Sequence, residues 1–300
     1  MQIVGIDEYE FGVEDTSACE RFVRDFGLQL VAPAEAMVGA IRVRALNGAR
    51  VTLYLLRDPR LPPAIEAGSA LRRVTWALES AEALEQLAER LADAPGFMRT
   101  EGTLTCRDPN GMTLRFRVNH LHPIDLPPQQ ITENEAMERI ASLTSVHERA
   151  TPLGIEYLSL FVEDLESVER FYRETLGFQV TDQYAGQAVF LRAAASSRHH
   201  DLLLLCVPGK ASGLNHVAFR LRDMQDVFDG GMAMRRADWQ LPAKPAFHGV
   251  CSACYWYVPS PAGGAFTFYS AKEPLGQAWV PRALQPSEQS LAEWMPGSEH

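Results

Sequence analysis

"FGVEDTSACERFVRDFGLQLV" (11–31) returns in the second half of the chain as "LFVEDLESVERFYRETLGFQV" (160–180). In each copy an aspartate, Asp15 or Asp164, follows a strand-like run and opens an amphipathic helix that closes near "FGLQ" or "LGFQ". A carboxylate at that point suits an N-cap and the positive end of the helix dipole. Further on, "RRVTWALESAEALEQLAERLA" (72–92) matches "LNHVAFRLRDMQDVFDGGMA" (214–233), strand then helix. "CRDPNGMTLRFRV" (106–118) matches "VPSPAGGAFTFYS" (258–270), a strand, a Pro/Gly turn and a strand. Recurrence of whole strand–helix segments marks a repeat architecture. The pattern predicts an α+β fold of four β-α-β-β-β units, paired into two domains, each a curled mixed sheet with helices outside. The expected boundaries are 1–120 and 153–272, with a linker at 121–152 that carries a helix at "ENEAMERIASL" and a tail at 273–300 anchored by Trp279 and Trp294.

Three hundred residues, 46% of them apolar, suffice for two domains. A formal charge of −10 argues against sequence-independent nucleic-acid binding, which needs a cationic face to displace counterions. The longest apolar runs, such as "LLLLCV" (202–207), are strand-sized and far short of a membrane span. "MQIVGIDEYE" meets acidic residues before any apolar stretch can form, so no leader is expected. Five cysteines fit a reduced, cytoplasmic chain. Cys251 and Cys254 make a C-x-x-C, but on a strand i and i+3 face opposite ways, so they read as small apolar fillers.

The paired β-α-β-β-β layout resembles the vicinal oxygen chelate superfamily of glyoxalases, bleomycin-resistance proteins and dioxygenases. "HGVCSACYWYVPSPAGGAFTFY" (248–269) and "SRHHDLLLL" (197–205) are similar to the type I extradiol catechol dioxygenases, in particular the homoprotocatechuate 2,3-dioxygenase branch. That resemblance implies a cup in the second half, where two histidines and a glutamate would hold iron(II). The corresponding positions here are Tyr157, His216 and Thr267, so only one of the three ligands is present. The expectation is therefore no metal and no cofactor, with iron(II) held by Tyr157 and His216 as the alternative. Glu156 is expected to point away from Tyr157's face, and His199 and Asp201 away from that of His200, by strand alternation.

His200, His248 and Tyr257 match the family's acid/base histidine, a second histidine and a tyrosine, which the resemblance makes catalytic. A histidine titrating near pH 6.5 is a natural proton shuttle, and a phenol can hydrogen-bond a developing enolate. Tyr157, Ser159, Arg192, His216, Tyr255 and Thr267 are the expected substrate contacts, Arg192 through a bidentate bond to a carboxylate. Each has a plainer reading: His216 as a core histidine, Tyr255 and Tyr257 as packing, Arg192 as a solvated strand end. His120 and His122 read as loop residues, and Glu8, Arg73 and Arg115 at the first half's equivalent positions offer no metal site.

The leading expectation is an extradiol-dioxygenase-like enzyme, working without metal on a small hydroxylated aromatic or enol-like molecule. The alternatives are an iron-dependent ring-cleaving dioxygenase with altered coordination, and a non-catalytic ligand-binding protein. The expected partners are that small molecule, dioxygen in the oxygenating readings, and further copies of the chain.

Overall fold

The computed structural model describes residues 2–31, 38–124, 149–271, 275, 279–285, 287 and 293–296. The linker helix expected at 133–143 lies outside them. The first sheet contains β1 (Ile3–Val13), β2 (Gln29–Leu30), β3 (Ala40–Arg44), β4 (Arg50–Leu55), β5 (Ala70–Leu78), β6 (Met98–Thr100), β7 (Thr103–Arg107) and β8 (Thr113–Val118). They run in the order β2-β3-β4-β1-β5-β8-β7-β6, with helices α1 (Thr16–Asp25) and α2 (Ala81–Arg90) in the crossovers.

The second sheet contains β9 (Gly154–Phe161), β10 (Gln179–Tyr184), β11 (Ala188–Arg192), β12 (Leu202–Leu205), β13 (Gly213–Arg220), β14 (Ala246–His248), β15 (Ala253–Pro259), β16 (Ala265–Ala271) and β17 (Arg282–Leu284). Its order is β14-β15-β16-β13-β9-β12-β11-β10-β17. Helix α3 (Leu165–Arg170), which runs on into a π-helical turn at Phe171–Thr175, and helix α4 (Met224–Arg236) complete it.

Both sheets are mixed and built alike. An antiparallel central pair, β1 with β5 or β9 with β13, joins two units. Within each unit the first strand runs parallel to its last, as β9 does to β12 and β13 to β16. These are the four β-α-β-β-β units of the repeat. Two caps are those the sequence announces, Asp15 accepting from the Ser17 and Ala18 amides and Asp164 from Ser167; Asp223 likewise accepts from the Asp226 amide. β17 was not foreseen; it adds part of the tail to the sheet edge beside β10.

The apolar residues of both halves join in one core. Phe26 of α1 stacks on Phe268 of β16 at 4.0 Å, and Phe22 meets Phe266 edge-on at 5.3 Å. Each buried ring contributes on the order of 1.5–3 kcal/mol, so this interface binds the halves strongly. Glycine at position 231 lets α4 approach, since a Cβ there would lie 2.0 Å from the Trp256 ring. The Tyr9 hydroxyl, from the first half, donates to the Tyr157 carbonyl at 3.1 Å.

The first half's concave face is filled with ion pairs. Glu8 accepts from Thr52 at 2.6 Å and lies 3.4 Å from Arg42. Glu10 holds Arg73 at 3.0 Å and Arg115 at 2.6 Å. Glu8, Arg73 and Arg115 are thus engaged within this network. A second apolar cluster, rich in tyrosine, occupies the concave face of the second sheet.

Candidate active site

Five adjacent strands and one bend bring the expected residues together. Tyr157 stands on β9, His216 on β13, Thr267 on β16, Tyr255 and Tyr257 on β15, and His248 on β14. Strand register places Thr267 directly opposite Tyr257 on one side and Ala218 on the other. The His200 ring lies 4.1 Å from that of Tyr157, and His216 Nε2 is 2.9 Å from the Tyr157 hydroxyl. His216 meets Tyr257 at 4.9 Å, and His248 stacks on Tyr255 at 3.7 Å, 9° from parallel. All seven side chains are buried.

Two expected contacts have other duties. Arg192 lies outside the cluster, its guanidinium donating to the Ser196 carbonyl and to Gln179 Oε1 at 3.0 Å. Ser159 is buried under the cup, where its hydroxyl accepts from Asn215. The two cysteines part, though by a turn and not by strand alternation: Cys254 on β15 joins the core, while Cys251, in the turn before it, takes the Tyr269 hydroxyl at 3.4 Å.

Two β-bulges add residues that simple alternation hides. Between Tyr157 and Ile155 the register against β13 slips, leaving Glu156 as the extra residue; between Leu214 and His216 it slips again at Asn215. A bulge re-aims its side chains. The expectation for Glu156 is corrected accordingly, for its carboxylate lies in the wall of a pocket of about 820 Å³ beside the cup. Arg198, His199, Arg220, Cys251 and Arg282 share that wall. The expectation for His199 also fails. Residues 198–201 form a bend, and His199 Nδ1 sits 3.0 Å from His200 Nδ1.

The electrostatics favour neutral groups. Burial lowers the His216 imidazole to about 3. Burial, then the neighbouring His199, His248 and His216, holds His200 well below its ordinary value. Burial raises the Tyr157 and Tyr257 phenols well above theirs. Among the described residues, His200 Nε2, His216 Nδ1, the Tyr255 hydroxyl and the Thr267 hydroxyl have no hydrogen-bond partner. Buried polar atoms seldom stay unpaired without a functional reason.

Trp294, an apolar anchor of the tail, enters the site itself. Its indole is buried in the cup, parallel to His248 at 3.6 Å, 5.7 Å from His200 and 5.0 Å from Phe190. Asn215 donates to the Trp294 carbonyl at 2.8 Å, and Tyr257 donates to the Glu293 carbonyl at 3.0 Å. The tail's apolar anchors pointed to a segment that covers a mouth or binds a neighbouring copy, and not to which ring would enter the cup.

Residues 154–249, which carry most of this cup, match the Glyoxalase/Bleomycin resistance protein/Dioxygenase superfamily model. That match, together with the fold, supports a relationship to the vicinal oxygen chelate superfamily. Along its length it is similar to Metapyrocatechase 2 of Cupriavidus necator, at 28% identity over 97% of this chain and 88% of that protein. Among solved structures, a Mn(II)-bound glyoxalase from Novosphingobium aromaticivorans superposes with a TM-score of 0.76, at 18% identity, over 99% of this chain and 92% of that one. An extradiol ring-cleaving dioxygenase from B. fuscum gives 0.68, at 18% identity, over 95% and 76%.

These relatives correct the expectation that no cofactor is involved, because they point to a metal. Tyr157, His216 and Thr267, the residues expected at the ligand positions, do not fit one as they stand. The Tyr157 phenol is held protonated and bonded to His216 Nε2, and Thr267 offers a neutral hydroxyl. Among the described residues no three histidines, cysteines or carboxylates are grouped to hold an ion. Nor is any helix among them long and apolar enough to cross a membrane.

Proposed function

We propose that the second-half cup binds a small hydroxylated aromatic or enol-like molecule, and that the protein is an extradiol-dioxygenase-like enzyme in which His200 exchanges a proton with the ligand's oxygen. The observation that carries this reading is the set of unpartnered buried atoms, His200 Nε2, His216 Nδ1, Tyr255 Oη and Thr267 Oγ1, on a wall of aromatic rings. A planar ring with one or two hydroxyls satisfies both the polar atoms and the stacking faces. Neutral His200 is the right form to accept a phenolic proton, and the developing oxyanion can be met by the Tyr255 and Thr267 hydroxyls. Tyr257 donates to the tail at Glu293 and is released for the ligand only when the tail yields.

Calorimetric titration with catechol, against cyclohexane-1,2-diol as a diol without an aromatic ring, tests the reading. Catechol should bind and the saturated diol should not. Tyr255→Phe should weaken catechol, and oxygen uptake should be seen with a catechol that wild type turns over but His200→Ala does not. Equal binding of both diols, or none of either, overturns the assignment.

A further inference from the structure

His200 is not alone behind the cup. His199 Nε2 lies 2.7 Å from Asp182 Oδ2, and His199 Nδ1 lies 3.0 Å from His200 Nδ1. His200 Nε2, at the far end of this row, has no partner among the described residues. Arg282 of β17 in turn clamps Asp182, with its Nε 2.8 Å from Oδ1. We propose that Asp182, His199 and His200 form a proton relay between the buried cup and the pocket at its side, with His199 as the group that passes the proton on.

The hydrogen-bond roles follow from the carboxylate. Burial alone would raise the Asp182 carboxyl, but the Arg282 and His199 bonds outweigh it and hold the group below the usual carboxylate range. An ionised carboxylate only accepts, so His199 carries its proton on Nε2. In neutral His199 the other nitrogen is then bare and accepts the Nδ1 proton of His200. That leaves His200 Nε2 bare and fixed as a base. When Nε2 takes a proton from a ligand hydroxyl, His200 gives its Nδ1 proton to His199. His200 stays neutral overall, the ligand becomes an oxyanion, and the positive charge rests on His199 against Asp182. His199 lines the pocket of about 820 Å³, where its extra proton can leave to solvent. Run backwards, the same row delivers a proton to the ligand.

The charge therefore never has to remain on His200, where burial and three neighbouring histidines oppose it. The titratable groups facing His200 are Tyr157 from β9, His216 from β13 and His248 from β14. Those around His199 are Asp182 and, through it, Arg282, with Asp201 and Arg198 paired to each other in the same bend.

The proposal rests on the cup being a site for a hydroxylated aromatic, and its test separates the two. Nitrogen NMR of histidine-labelled wild type, without ligand, should show His200 unprotonated at Nε2. In His199→Phe that preference should vanish, giving a mixture of tautomers. A wild-type His200 protonated at Nε2 overturns the relay whether or not any ligand binds. In the second arm 4-nitrocatechol, whose absorbance separates phenol from phenolate, is titrated with pH while bound. His199→Phe should raise the pH of half-ionisation by about one unit, whereas 1,2-dimethoxy-4-nitrobenzene should bind both proteins within about twofold. An unchanged ionisation midpoint overturns the relay. Failure of the probe to bind wild type overturns the proposed function and leaves the NMR result to decide the relay. Should His199→Phe not fold, Asp182→Asn is measured in the same two ways, with the same expected directions.

Discussion

The indole of Trp294 lies flat on the imidazole of His248, 3.6 Å between centroids and 2° from parallel. With Tyr255 on the other face of the same imidazole, three rings form one stack. The tail thus places an aromatic ring inside the tyrosine-rich cluster of the second sheet.

Trp294→Ala should open that position. If an aromatic ligand takes the indole's place, the variant binds catechol about tenfold or more tightly than wild type, since it has no indole to displace. In wild type, catechol should shift tryptophan emission to the red as Trp294 meets water. Weaker binding by the variant would mean that Trp294 packs against the ligand instead of standing in for it.

Stability should fall on acidification between the ordinary histidine value and the lowered value of about 3 for His216. The folded state refuses a proton that the unfolded chain accepts, so the stability present above pH 6.5 is lost as pH drops. One such histidine gives a slope of about 1.4 kcal/mol per pH unit. Glu156, raised by burial, works in the opposite sense just above 4.5. Urea unfolding of His216→Asn between pH 6.2 and 5.2 should show a slope smaller by about that amount. An unchanged slope would mean that His216 is protonated in the fold.

Tyr157→His combined with Thr267→Glu should bind manganese(II) far more tightly than wild type in an anaerobic titration. The pair supplies an imidazole and a carboxylate, and removes the phenol bonded to His216 Nε2. Each single variant should gain less. Equal affinity in wild type and double variant would show that the cup does not present these positions to one ion.

Arg192→Ala should weaken an acidic aromatic ligand no more than its neutral analogue, because the guanidinium is held by Gln179 and Ser196. Comparing catechol with 3,4-dihydroxybenzoate decides it. A selective loss of the acid would show that Arg192 swings into the cup.

Gly231→Ala should cost roughly 1–3 kcal/mol or more, read from a thermal or denaturant melt, because its methyl would press into the Trp256 ring. A neutral result would mean that α4 can lift from the sheet freely.

The sequence by itself determined the architecture. Its repeated strand–helix segments fixed four units and the caps at Asp15 and Asp164, because capping and apolar periodicity are local and depend only on nearby residues. Alternation also put Tyr255 and Tyr257 on one face of their strand, while the grouping of Tyr157, His216 and Thr267 was implied by the family resemblance. Only the tertiary structure decided the rest. The bulges that turned Glu156 and Asn215 depend on how β9 slips against β13, a pairing between distant segments. The bend that set His199 beside His200 lies outside any strand, where period two has no force. Asp182 reaches His199 from another strand, and Trp294 enters the cup from the far end of the chain. Such contacts follow from packing and closure, so no local pattern could announce them.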